Sequence, residues 1–272
     1  MNVDLDLLNT ILDSIEAATF TWVATLQPIG LQLFWGLAAV EFAWTWIAAL
    51  TPIRGEMPNV FLLLARKLLY IAVLAYLVSE GPMVFQLILS SFQQAGAAAA
   101  NVPDLRPSTF LNSGAVLSVH LLSSLDGIGF LFDVLGRSMA LIGSFGIFLC
   151  YAFMSFSLTL TLVEALVVGG SSYFLLAFGA SRWTCHLADG ALATAFRCGV
   201  KLFLTYLLAG VIQGLSIQWG LVLQSTAFVG PYEYFVFLGT AGTAALLLWT
   251  VPRLAAQLFP PSIHVFNPRL AD

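Results

Sequence analysis

Charged side chains are scarce in this sequence. Only 9% of its 272 residues are Asp, Glu, Lys or Arg, while 60% are hydrophobic. A soluble domain carries about 25% charged residues, because most of its surface faces water. Too few are present to cover a water-facing chain of this length, so lipid is expected to solvate much of the surface. Basic residues are the scarcer sign, ten Lys and Arg for a net charge of −4. That argues against a basic patch that holds nucleic acid by counterion release. Cysteine is limited to Cys150, Cys185 and Cys198. Cys185 beside His186 is the nearest approach to a metal-ligand pair, and adjacent side chains rarely chelate one ion well, so no metal is expected. No basic residue precedes Arg54, whereas Asp4, Asp6, Asp13 and Glu16 come first. A cleaved signal peptide needs a basic head, so none is expected here.

Catalytic patterns are missing as well. His120, His186 and His264 are scattered, and there is no GxSxG elbow, HExxH pair or phosphate-binding Walker loop. The hydroxyls Ser138, Ser144, Ser155 and Ser157 have no obvious base nearby beyond Glu164. In such segments Ser and Thr usually bond their own helix or a neighbouring one. The expectation is a protein that is not an enzyme and has no cofactor.

What is abundant is apolar sequence in long runs. Leu5, Leu8, Leu12 and Ile15 recur at steps of three and four, with Asp6, Asp13 and Glu16 opposite them, which predicts an amphipathic helix over about 3–20. Spans are expected at about 29–50, 61–79, 138–163, 200–222 and 233–251. Trp44 and Trp46 fit an aromatic belt at a bilayer boundary. Gly81-Pro82 interrupts the chain after the second span, and Gly169-Gly170 is expected to break the third. The fold class is therefore all-α: a polytopic helical membrane protein with about five spans, an N-terminal amphipathic helix and a broken or re-entrant element. The expected divisions are 1–28, 29–79, 80–137, 138–251 with the broken element near 169–200, and a tail over 252–272.

Lys and Arg accumulate on the cytoplasmic side of short loops. With five spans and the N-terminus outside, Arg54, Arg66, Lys67, Arg182, Arg197, Lys201, Arg253 and Arg269 fall inside, and only Arg106 and Arg137 fall outside. A sixth span at 173–178 would move five of those eight and abolish the bias. The N-terminal helix and the 80–137 region are thus expected in the periplasm, and the tail in the cytoplasm.

Ionisable residues at membrane depth are costly unless paired or wetted, so they are the informative ones. Glu41 lies within the first span; Arg66 and Lys67 begin the second; Glu164 and Lys201 flank the broken element. They either line a polar path or form structural pairs between helices. Gly143 and Gly146, Gly210 and Gly214, and Gly239 and Gly242 form small-residue clusters. These predict close helix contacts within or between subunits, and identify no substrate.

Three stretches carry a family resemblance. In the first, Lys67-Leu68-Leu69-Tyr70 leads to Ser91-Phe92-Gln93-Gln94-Ala95-Gly96. The second is Arg106-Pro107-Ser108-Thr109-Phe110-Leu111, followed by Gly114. The third runs through Leu175-Leu176-Ala177-Phe178-Gly179, Thr184 and Leu187-Ala188 to Gly199-Val200-Lys201-Leu202. In this order the chain resembles the TrbL-type polytopic inner-membrane subunits of type IV secretion and conjugal transfer systems, over most of residues 60–215. The resemblance implies five or so spans and a periplasmic N-terminus. It also implies a homo-oligomer among membrane lipids, in contact with a secretion ATPase complex, a periplasmic scaffold and pilus subunits. Such members help pass protein or protein–DNA substrates without stable nucleic-acid binding, or support pilus assembly. Arg106, Pro107 and Ser108 become candidate periplasmic partner contacts. Many members carry a long Gly- and Ser-rich tail that this sequence does not show. The rival readings are a secondary transporter, a membrane component of another export apparatus such as a flagellar-type system, and an assembly or immunity factor.

Overall fold

In a computed structural model, residues 7–50, 60–101, 105–123, 133–225 and 231–258 are described. Among them the chain is helical with no strand: α1 (Leu7–Leu50), α2 (Val60–Ser79), α3 (Gly81–Ala99), α4 (Pro107–Ser123), α5 (Asp133–Leu176), a 3-10 turn (Ala177–Ala180), α6 (Cys185–Ser225) and α7 (Pro231–Gln257). Four helical stretches are long and apolar enough to cross a membrane: Leu8–Ile47, Ser138–Ala180, Cys185–Leu223 and Glu233–Gln257. The pair Leu64–Ser79 and Gly81–Ala99, bent by 68°, makes a fifth if counted as one broken span. The all-α polytopic expectation is borne out. The loop around Arg54, the residues near Asp126 and the tail with His264 and Arg269 lie outside the described residues.

Two local expectations differ from what forms. α1 runs unbroken across residues 28 and 29, with Pro28 inside it, so the amphipathic stretch and the first span share one helix. α5 likewise continues through Gly169-Gly170 to Leu176. These glycines serve close approach. A Cβ on Gly170 would meet Thr19 Cγ2 at 2.5 Å, and one on Gly169 would meet Leu89 Cδ1 at 3.0 Å. The break comes later, at the 3-10 turn. There Ser181 is extended, its carbonyl accepts from the amides of Thr184 and Cys185 at 3.1 and 2.9 Å, and the Thr184 hydroxyl donates to the Phe178 carbonyl. The backbone groups released by the break are thus re-satisfied locally, as apolar surroundings require.

The described residues divide into two compact units. One comprises those within 15–91, 164–199 and 257–258; the other, those within 1–14, 92–163 and 200–256. In the first unit Phe34, Leu74, Val78, Phe85, Tyr173, Leu176 and Ala188 form a buried cluster. Gly81 lets α3 start against Tyr173, whose Cβ lies 2.9 Å from where a glycine Cβ would stand. The Gln27 amide donates to the Ser79 carbonyl, 2.8 Å, at the end of α2. In the second unit the buried face of α5 repeats at steps of three and four through Ala140, Ile147, Tyr151, Met154, Leu158 and Leu162. α4 buries Pro107, Phe110, Gly114, Leu117 and Leu121 at the same spacing. α3 ends where Asn101 takes a positive φ of 55°, a left-handed turn that Asn tolerates better than most residues.

Candidate functional site

The first unit holds a carboxylate that is completely buried. Glu41 on α1 is 0% exposed. Burying a lone charge costs several kcal/mol, so it persists only when paired and hydrogen-bonded. Two cations meet it. Lys67 of α2 donates from Nζ to Oε1 at 2.7 Å. Arg182, just after the 3-10 turn, donates from Nε to the same oxygen at 3.0 Å, and its backbone amide lies 3.4 Å from Oε2. One carboxylate therefore ties α1 and α2 to the helix break. Tyr70, one turn beyond Lys67, reinforces this by donating to the Gly179 carbonyl at 3.3 Å. The Thr45 hydroxyl turns back to the Glu41 carbonyl at 2.7 Å.

The cluster has an aromatic flank. Trp44 and Trp183 pack edge to face with ring centroids 5.8 Å apart, and both are exposed. Trp44 shares α1 with Glu41, and Trp183 follows Arg182, so the indoles accompany the charges at one level of the unit. Glu41 stands nine residues before Leu50, the last residue of α1, about two and a half turns from that end. It is therefore nearer the end of the helix than its middle.

The sequence-predicted residues distribute unevenly. Glu41 and Lys67 come together. Arg66 is exposed beside them on α2, and Glu164 is exposed on α5. Lys201 is partly buried on α6 in the second unit, and its carbonyl accepts from Thr205 at 2.7 Å. Gly143 and Gly146 lie under Tyr234 and Leu238 of α7, and Gly210 lies under Ala100. Gly214, Gly239 and Gly242 face open space, with nothing within 4 Å of an added Cβ. Pro107 is buried and its carbonyl takes the Ser155 hydroxyl at 2.6 Å; Ser108 takes the Asn9 amide at 2.8 Å; Arg106 is exposed. Arg182 was not singled out beforehand. Its only signal was position, a cation two residues past Ala180 in a Gly- and Ser-containing break.

The second unit brings together neutral groups instead. Tyr151 and Ser216 share a hydrogen bond of 2.5 Å. The Gln93 amide donates to the Tyr206 hydroxyl at 2.8 Å, and the Gln213 amide to Ser113 at 3.0 Å. Ser144, Ser155, Ser157, Thr159 and Thr161 are all buried along α5. Hydroxyls and amides of this kind hold apolar helices together where lipid offers no hydrogen bonds.

An all-α chain with four such apolar helices, a fifth bent one, and its buried charge neutralised between helices is a multi-pass membrane protein. Residues 38–251 match the family described as TrbL/VirB6 plasmid conjugal transfer protein, and the chain belongs to that family. It is similar to a probable conjugal transfer protein TrbL of Sinorhizobium fredii (strain NBRC 101917 / NGR234), 23% identical over 233 residues, covering 86% of this chain and 57% of the relative. It is also similar to a conjugal transfer protein TrbL of Rhizobium radiobacter, 23% identical over 262 residues, covering 94% of this chain and 62% of the relative. The chain spans about six tenths of the length of these curated relatives. The resemblance read from the three sequence stretches is borne out.

Proposed function

We propose that this chain is an inner-membrane scaffold and channel subunit of a type IV secretion or conjugation machine. The observation that carries the reading is the family match over residues 38–251, which runs from just before the Glu41 cluster into the last apolar helix. Several copies associate through small-residue faces, and the open surfaces at Gly214, Gly239 and Gly242 support such contacts. The region 80–137 forms a periplasmic platform for pilus or scaffold components, with Arg106 as an exposed contact. Basic residues concentrated around 66–67, 182–201 and 253–269 support a cytoplasmic C-terminus and a periplasmic N-terminus. Partner ATPases supply the energy, and the substrate is a protein or protein–DNA complex in transit.

Deleting the gene from a donor strain should lower transfer or secretion by orders of magnitude, with recovery on complementation. Undiminished transfer, together with a strictly monomeric chain in lipid, would sink the reading. In a variant freed of its native cysteines, a membrane-impermeant thiol reagent on intact cells should label a cysteine at position 106 and spare those at 182 and 253.

A secondary transporter is the second reading. It is favoured by two helix breaks in one unit, at Glu80 and over 177–184, because such breaks build midplane substrate sites. Solute flux into liposomes that contain this chain alone would support it.

A further inference from the structure

We propose that Arg182 and Trp183 form a docking site for the phosphate of an anionic phospholipid headgroup, with Glu41 as the positioning residue. The proposal rests on the chain crossing a membrane and does not need the conjugation role.

Span ends converge at the cluster. α1 ends at Leu50 and α2 begins at Val60, while the apolar stretch containing α5 ends at Ala180 and that of α6 begins at Cys185. Arg182 falls between two of these ends, and its contacts bring the other two to it. Exposed Trp44 and Trp183 mark the same level, as indoles do at a headgroup boundary.

Arg182 has donors to spare. Its Nε and backbone amide go to Glu41, while neither terminal guanidinium nitrogen bonds a described residue. Its side chain is 37% exposed, against 12% for Lys67. Lys67, at 2.7 Å, already supplies a full counter-charge to Glu41. Asp189, the other buried acid of this unit, lies within the packed helices, whereas the outer edge of Arg182 is open. The carboxylate thus holds the guanidinium by Nε and leaves both terminal nitrogens of a 37%-exposed side chain to donate elsewhere, the fork that matches a phosphate.

A lipid is the phosphate source that fits the surroundings. Leu68 and Leu69 follow Lys67 along α2 and are large, apolar and exposed, so an acyl chain has apolar surface to lie on. Free phosphate would use the fork and leave that surface bare.

The test takes the full chain, delipidated in neutral detergent, and counts bound lipid by native mass spectrometry. Phosphatidylglycerol and phosphatidylcholine with identical acyl chains compete. The wild type should prefer phosphatidylglycerol about tenfold, because both headgroups offer the phosphate and only choline adds an ammonium that the cations here repel. R182Q should fall to near parity, while R182K, which keeps the charge and loses the fork, should keep the preference and bind both lipids about threefold more weakly. W183A, which leaves the ion cluster intact, should weaken binding about two- to threefold. Inorganic phosphate at about 10 mM should not displace the lipid, since it has no acyl chain to bury. Absence of a preference in the wild type, an undiminished one in folded R182Q, or undiminished lipid binding in R182K overturns the site. Displacement by inorganic phosphate alone overturns its assignment to a lipid. If R182Q does not fold, R182K and W183A decide.

Discussion

In the unit built from residues within 15–91, 164–199 and 257–258, a buried carboxylate is answered by two cations; in the unit built from residues within 1–14, 92–163 and 200–256, the long-range polar contacts described join hydroxyls, amides and carbonyls. The difference is one of fragility. A neutral pair that loses a partner leaves a dipole, which can turn back on its own helix. Ser216 already does so, donating to the Ile212 carbonyl at 2.8 Å. An ionic cluster that loses its carboxylate leaves Lys67 as a largely buried positive charge beside a partly solvated Arg182. The first unit is therefore specified by a few irreplaceable residues and the second by many replaceable ones.

Removing Glu41 should give the largest effect. Glu41→Ala strands Lys67 and Arg182, and breaking a buried pair by removing one partner costs about 3–5 kcal/mol. Thermal unfolding in detergent or nanodiscs measures it. Replacing Glu41 and Lys67 together by leucine should cost clearly less, because Arg182 is partly solvated. If the single and double variants lose equal stability, the ion cluster is not what distinguishes this unit.

Glycines sharpen the comparison next, because buried and open ones should respond with opposite sign. At Gly210 an added side chain runs into Ala100, so Gly210→Val should destabilise by about 1–3 kcal/mol through overpacking. One turn on, Gly214 has open space. Gly214→Ala should stabilise the monomer by up to about 1 kcal/mol through helix propensity. If Gly214 faces another copy, the same substitution should lower the oligomer fraction on blue-native gels while the unfolding temperature holds or rises. Destabilisation of both variants alike would remove the distinction between packed and open faces.

How much of this was legible in the sequence follows from what each signal encodes. Long apolar runs fix helices and their number, because hydrocarbon leaves the backbone few other choices. They do not fix helix ends. α1 and α5 each run 44 residues, about twice what one crossing needs. The pairing of Glu41 with a cation was readable as a demand, because an acid in an apolar run must be compensated. That Lys67 and Arg182 meet it, 26 and 141 residues away, depends on how the break after α5 folds back, which no local pattern records. Gly169-Gly170 misled for a related reason. A glycine pair signals either a break or a close approach, and only the neighbours Thr19 and Leu89 decide which.

In the neutral unit single losses should be modest. Tyr151→Phe removes the hydroxyl bonded to Ser216 and leaves that serine its bond to Ile212. About 1 kcal/mol is expected, the usual net worth of one hydrogen bond, and Ser155→Ala should cost a similar amount by freeing the Pro107 carbonyl.

The smallest effect belongs to the end of the same unit, where Arg253 stacks over Trp249, its guanidinium carbon 3.3 Å from the ring centroid. Trp249 itself packs against Phe153 of α5 at 5.3 Å between centroids. Arg253 is exposed, so the cation–π contact is worth about 0.5–1 kcal/mol. Arg253→Lys keeps the charge and loses the planar stack, whereas Arg253→Met keeps much of the packing and loses the charge. If the stack matters, both should lower the unfolding temperature slightly and by similar amounts. If Arg253 instead anchors the end of α7 to a charged surface, only Arg253→Met should change behaviour, and the change should fade as salt is raised.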